Sequence, residues 1–415
     1  MYPLRGAVRN YSWGSHTALA ELTGRPAPTD EPEAELWLGA HPAAPAVVDE
    51  DGTTVSLLDL IARDPEGQLG SECAREFDGR LPFLLKVLAA EQPLSLQAHP
   101  SRAQAREGFA RENDAGIPLD ASHRNYRDDN HKPEMVVALS RFEALAGFRG
   151  PTETVEFLRD LSVPELTSYA SELGDHLGAT GLRALFTAWM TLPTKSLAAL
   201  TDAVLAGCER YLAARAGSDD EFTVAARTAL DLGRVYAEDP GVIASLLLNR
   251  VSMEPGDALF LPAGNLHVYL RGTAVEIMAN SDNVLRGGLT AKHVDVPELL
   301  RVLDFGSVDV PWVRARIDRD ECLYAPPVRE FELVRAELDL SGTSRPTSAA
   351  FGGPAPRILL CVEGSAQLRC SDQILNLERG EAAWVLGSYP ELVVQARSPH
   401  ATVFAATLPV PSEST

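Results

Sequence analysis

VSMEPGDALFLPAGNLHVYL, residues 251–270, sets the reading of the whole chain. Val251 and Met253 alternate with polar neighbours, a Pro-Gly-Asp turn follows at 255–257, and a second apolar run starts at Ala258. This is the grammar of a strand, a tight turn and another strand. LNLERGEAAWVLGS (375–388) repeats it without a gap: apolar–x–apolar–Glu, then Gly and an acid, then an apolar strand. VEGSAQL (362–368), just before the second copy, resembles another hairpin. Repeated units of this kind suit double-sheet jelly rolls. Two barrels are therefore expected. The first copy runs on into His267, whereas the second runs into SYPELVV (388–394) and offers no histidine there. A region from about 320 to 410, with His400 as its only histidine, is thus expected to be metal-free and catalytically silent.

Between the copies the rhythm changes. Leu197, Leu200, Val204, Cys208 and Tyr211 recur at steps of three and four, the period of a buried helix face. Thr152 with Glu153, and Thr194 and Ser196 after Pro193, read as helix starts. The expected division is therefore a catalytic barrel from residues 1–150 with 249–310, a helical insertion at 151–248, and a second barrel at 311–415. The first 150 residues read mostly as short strands and turns, as in RLPFLLKVLAA (80–90), PLSLQAHP (93–100) and KPEMVVAL (132–139). The predicted fold class is mainly β with an α-helical insertion, two jelly-roll barrels plus a helical domain.

Composition narrows the function. At 415 residues, with 45% hydrophobic and 23% charged residues, the chain is an ordinary globular protein of two or three domains. No apolar run approaches the roughly 20 residues of a membrane span, and no signal peptide is indicated. Five scattered cysteines without a CxxC pair point to a reducing cytoplasm. With 37 basic and 58 acidic residues the net charge is −21, which disfavours nucleic acid and anionic membranes as partners. An anionic substrate must then be held by a local basic cluster. Only Lys86, Lys132, Lys195 and Lys292 are lysines, so each is a candidate for a chosen role, although Lys195 reads as plain surface.

Strand parity selects the site. In LSLQAHP, Ser95, Gln97 and His99 share one face; Lys132 and Glu134 point together, and so do His267 and Tyr269. Four inward oxygen and nitrogen donors in a small barrel would be costly if left unpaired. A divalent cation satisfies Gln97, His99, Glu134 and His267 at once, with zinc favoured and manganese, iron or cobalt as alternatives. Taken singly, each histidine is equally well a packed or turn residue.

YSWGS (11–15), ELWLGAHP (35–42), PLSLQAHP (93–100), NHKPEM (130–135), LPAGNLHVYL (261–270) and ANSDNVLRGGLTAKHVDV (279–296) together resemble the successive signatures of type I mannose-6-phosphate isomerases, members of the cupin superfamily. The resemblance spans roughly residues 1–300 in the right order. It implies a zinc-dependent aldose–ketose isomerase acting on mannose 6-phosphate and fructose 6-phosphate through a cis-enediolate. One Zn2+ per chain, a small sugar phosphate as partner, and a cytoplasmic monomer are the matching expectations. It also implies Gln97, His99, Glu134 and His267 as ligands, Arg286 at the reacting centre and Lys292 nearer the phosphate.

The chemistry needs a proton moved between neighbouring carbons, for which Lys132 and Glu276 are candidates alongside Lys86. At this stage Lys86 is either an edge-strand charge or an inward lysine, and Glu276, between Val275 and Ile277, faces either the site or water. Ser95 and Tyr269 fall among the substrate-binding candidates, and Trp13 packs against the sugar or fills core. Arg286 and Lys292 flank a glycine-containing loop, GGLTA. Two rivals stand beside this reading. An iron-dependent cupin oxidoreductase would favour a facial triad with open positions, which Gln97 and the cationic pair argue against. A non-catalytic sugar-binding or regulatory cupin would need no base.

Overall fold

The computed structural model describes residues 1–306, 309–318, 321–341 and 345–409. It is mainly β with a block of helices. The described strands form three sheets, of eleven, nine and four strands. The eleven-stranded sheet carries the site. Its spine is the long strand His267–Ala279, which serves two neighbourhoods. The first half pairs with Phe142–Phe148 and Leu96–Ala98, the second with Phe83–Ala90 and Glu134–Ala138. Gly272 lies at the changeover with φ +121, and a Cβ there would sit 2.6 Å from the Arg141 carbonyl oxygen. The strand can switch partners only because this residue lacks a side chain.

Alternation along these strands assigns their two faces. Leu36, Leu38, Leu85, Val87, Met135, Val137, Val275 and Ile277 lie on one face, in a core shared with Leu333, Ile358, Trp384 and Phe404 of the nine-stranded sheet. The other face is left to Glu35, Trp37, Lys86, Glu134 and Glu276, all buried. Strands Tyr2–Arg5, Val47–Glu50 and Thr53–Ser56 hydrogen-bond into the nine-stranded sheet, where Leu4 pairs with Ala382. The first 150 residues therefore furnish strands to both large sheets.

Helices fill the segment from Pro151–Asp160 to Gly241–Ala244. In helix Thr194–Ala214, the five residues spaced at three and four are all buried. Two details differ from the sequence reading. Helices Pro151–Asp160 and Thr194–Ala214 begin where expected, but Gly150 and Pro193 precede them and no side chain caps either. The first 150 residues also hold helices at Leu57–Arg63, Pro65–Leu69, Ser71–Glu76 and Arg102–Asp114. The last has almost no apolar stripe, so hydrophobic period misses it; it is marked instead by a Ser101–Gln104 capping box.

Both repeat copies are strand–turn–strand, with Gly256 and Gly380 at positive φ in the turns. VEGSAQL is a corner and not a hairpin. Arg357–Glu363 joins the nine-stranded sheet and Ser365–Cys370 the four-stranded one, so the two arms never pair.

Glu332, on strand Glu332–Asp339, is buried, and burial pushes its carboxyl up to about 7, opposed only in part by Arg316. Because the folded state holds this proton more tightly than the unfolded chain, folding loses stability as pH rises from the usual Glu range through about 7. Glu332→Gln is expected to stabilise by on the order of 1–3 kcal/mol above neutrality and to change little in acid. Melting curves at the two pH values check this; an equal shift at both would refute it.

Candidate active site and metal centre

Three cross-strand rows build the site. Directly opposed residues on neighbouring strands present their side chains to one face, with Cβ atoms about 5 Å apart. Trp37, Lys86 and Glu276 are opposed in sequence across three strands. His267, Gln97 and Arg286 form a second row. Glu134 opposes Met278, two positions along the spine from Glu276. All of these residues but His267 line one cleft of about 310 Å³, at the small end of the range for small-molecule sites.

At the floor, His99 Nε2 and His267 Nε2 lie 3.3 Å from the two oxygens of Glu134. All three side chains are almost fully buried. Each imidazole uses its other nitrogen on a backbone carbonyl: His99 Nδ1 is 2.8 Å from Asn283 O, and His267 Nδ1 is 3.0 Å from Asn265 O. Those bonds set the tautomer, so both Nε2 lone pairs face the carboxylate. The His99 Nε2 and Glu134 Oε2 atoms have no hydrogen-bond partner despite burial. Orphaned polar atoms in such a place are expensive unless something of opposite charge joins them. The donor set of two neutral imidazoles and a carboxylate, within 4.8 Å of one another, is the one a zinc-type cation takes. Among the described residues this is the cluster able to hold a metal. The Gln97 amide lies 3.5 Å from His267 Nε2, and a half-turn of that amide presents its oxygen to the same place. Burial pushes His99 down to about 4, while Lys132, His99 and His267 hold Glu134 ionised against its own burial.

Above the floor stands a set of paired charges. Lys132 Nζ is 3.0 Å from Glu134. Lys86 Nζ is 3.1 Å from Glu276 Oε2, and the Tyr269 hydroxyl donates to Glu276 Oε1 at 3.0 Å. Burial works against the Lys86 ammonium, but Glu35, Glu276 and Glu134 outweigh it and keep it charged. Burial raises Glu276, and Lys86 pulls it back only partly. At the rim, Arg127, Arg286 and Lys292 line the cleft and make no ion pair among the described residues. Burial, and then their mutual repulsion, lowers Arg286 and Lys292. This is a local cationic patch in a chain of net charge −21.

Residues 1–151 match the model for the catalytic domain of type I phosphomannose isomerase. Mannose-6-phosphate isomerase of Salmonella typhimurium is 39% identical over 391 residues, covering 93% of this chain and 94% of that protein. The chain belongs to the type I phosphomannose isomerases. The Homo sapiens mannose-6-phosphate isomerase is 33% identical over 411 residues, with 93% of each chain covered. A solved mannose 6-phosphate isomerase bound with zinc and yttrium superposes with a TM-score of 0.85 at 37% identity, over 97% of this chain and 98% of that one.

Of the metal, catalytic and substrate-binding candidates read from the sequence, all but His99 and His267 line the cleft, and those two lie just beneath it at the cluster. Trp13 does both things its position left open: it lines the cleft and packs on the core. Lys86 is on an interior strand and points inward, not along an edge. Arg286 lies on the short strand Leu285–Gly288 and is not a loop residue, because Leu96–Ala98 pairs with it. Sequence reading missed Glu35, Trp37, His41 and Arg127. The first three sit in the quoted ELWLGAHP, where the same parity places Glu35 and Trp37 together. Arg127 comes from irregular chain, and hydrogen bonds between its segment and Asn283, including the one from its own backbone N–H to Asn283 Oδ1, bring it to the rim.

Proposed function

We propose that this chain interconverts mannose 6-phosphate and fructose 6-phosphate through a cis-enediolate, in the cytoplasm, as a single-chain enzyme. The observation that carries this is one cleft with a metal-capable floor and an unpaired cationic rim. A zinc ion held by Gln97, His99, Glu134 and His267 would supply Lewis-acid stabilisation of the enediolate. The remaining work falls to the chain's own groups. Glu276, held by Lys86 and Tyr269, takes the proton from C2 of the open-chain aldose and returns it to C1. Lys132 exchanges the matching proton between O2 and O1. Trp13 and Ser95 border the sugar, while Arg127 and Lys292 take the phosphate dianion in a chain whose net charge is −21. We further read 1–150 with 249–310 as the catalytic unit, 151–248 as an insertion and 311–415 as a second, metal-free unit. A coupled assay on mannose 6-phosphate, with and without chelator, tests the function. Turnover that survives metal removal, or no turnover at all, would refute it.

Arg286 is opposed to Gln97 across the strand pair, so its guanidinium starts from the metal end of the cleft. Arg286→Ala is expected to lower kcat by about a hundredfold with a smaller change in KM, whereas Lys292→Ala should mainly raise KM. Steady-state kinetics on the folded variants separate the two; a pure KM effect at Arg286 would move it to the phosphate.

A further inference from the structure

Among the described residues, the chain after residue 311 supplies no group to the cleft, yet one of its side chains reaches towards the metal cluster. Glu330 is buried, 5% exposed, just before strand Glu332–Asp339. Its Oε1 lies 2.8 Å from His131 Nε2 and also takes a hydrogen bond from Arg102. The two donors are themselves 2.9 Å apart. Their places in the chain give the contact its meaning. Arg102 follows His99 by three residues and opens helix Arg102–Asp114; His131 precedes Glu134 by three and adjoins Lys132. One carboxylate therefore joins the segment that carries Gln97 and His99 to the segment that carries Glu134. Residues 121–133 have no helix or strand of their own, so their course depends on such tethers. Glu330 itself is anchored, because Phe331 and Leu333 are fully buried in the core shared with Leu85, Val87 and Ile277.

We propose that Glu330 is a positioning residue: it clamps the His99 and Glu134 segments at the spacing the metal needs and fixes the direction of Lys132. This role is what the C-terminal segment contributes to the reaction. The inference rests on the metal reading of the cluster. Acting through His131 and Arg102, Glu330 sets the geometry of the ligands without touching substrate, as outer-sphere partners do in other metal sites.

The test uses the full-length, zinc-loaded protein and three readouts: zinc loss to a chromogenic chelator, amide hydrogen exchange across residues 127–133, and kcat against KM. Glu330→Ala is expected to lose zinc about tenfold faster, to exchange faster across that segment, and to lower kcat with little change in KM. Glu330→Gln keeps an acceptor for both donors and should recover most of the loss. Should the alanine variant fail to fold, Arg102→Gln, on a half-exposed side chain, is expected to give a weaker form of the same three effects. A lower melting temperature with all three readouts at wild-type values would make Glu330 a plain packing contact and overturn the proposal. Wild-type protein that retains no zinc would sink the metal reading, and the exchange readout would still judge the clamp.

Discussion

Replacing His267 with Ala is expected to empty the metal site and lower kcat by at least about a thousandfold. Its Nε2 faces Glu134 at 3.3 Å, and its Nδ1 is committed to the Asn265 carbonyl. No other histidine stands close enough to substitute, since the cluster among the described residues consists of His99, Glu134 and His267. Losing several kcal/mol of transition-state stabilisation corresponds to three or more powers of ten in rate. The loss should appear in elemental analysis as well as in turnover, with circular dichroism showing that the fold persists. Full metal content in the folded variant would remove His267 from the ligand set. Undiminished kcat with the metal gone would remove the metal from the reaction.

Glu276→Gln should abolish the proton transfer while leaving the metal in place. The amide matches the carboxylate in size, and its oxygen still accepts from Tyr269 as Glu276 does at 3.0 Å. What disappears is the basic oxygen paired with Lys86. General base catalysis contributes about 10²–10⁴-fold, so kcat is expected to fall within that range. KM and zinc content should stay near wild type, because the ligand cluster and the cationic rim are untouched. A variant with kcat within about twofold of wild type would pass the base's role to Lys132 or Lys86.

These two residues differ in how far a sequence can place them. Period two groups Gln97 with His99, Lys132 with Glu134 and His267 with Tyr269 wherever the sheet ends up, and the family resemblance picks the four proposed ligands out of those groups. The same arithmetic leaves Glu276 and Lys86 with two faces and no way to choose. That choice is made by packing. Val275 and Ile277, with Leu85 and Val87, are drawn into the core against Ile358, Trp384 and Phe404, and this turns the charged face inward over the metal cluster. Apolar area removed from water on one face outweighs the cost of burying charges on the other, provided those charges pair, as Lys86 and Glu276 do.

Local pattern therefore carried the strand-rich class, the helical block around Leu197–Tyr211, the two glycine turns and the donor set of the metal cluster, because each depends on neighbours within a few residues. Contacts between distant segments lay outside it. The corner at Gly364 depends on which sheet each arm joins, and Arg127 reaches the rim because Asn283, far along the chain, holds its backbone. The tie from Glu330 to His131 spans 199 positions. Such pairings leave no period in the sequence; they exist only after burial of the apolar faces has brought the sheets together, so tertiary structure alone decided them.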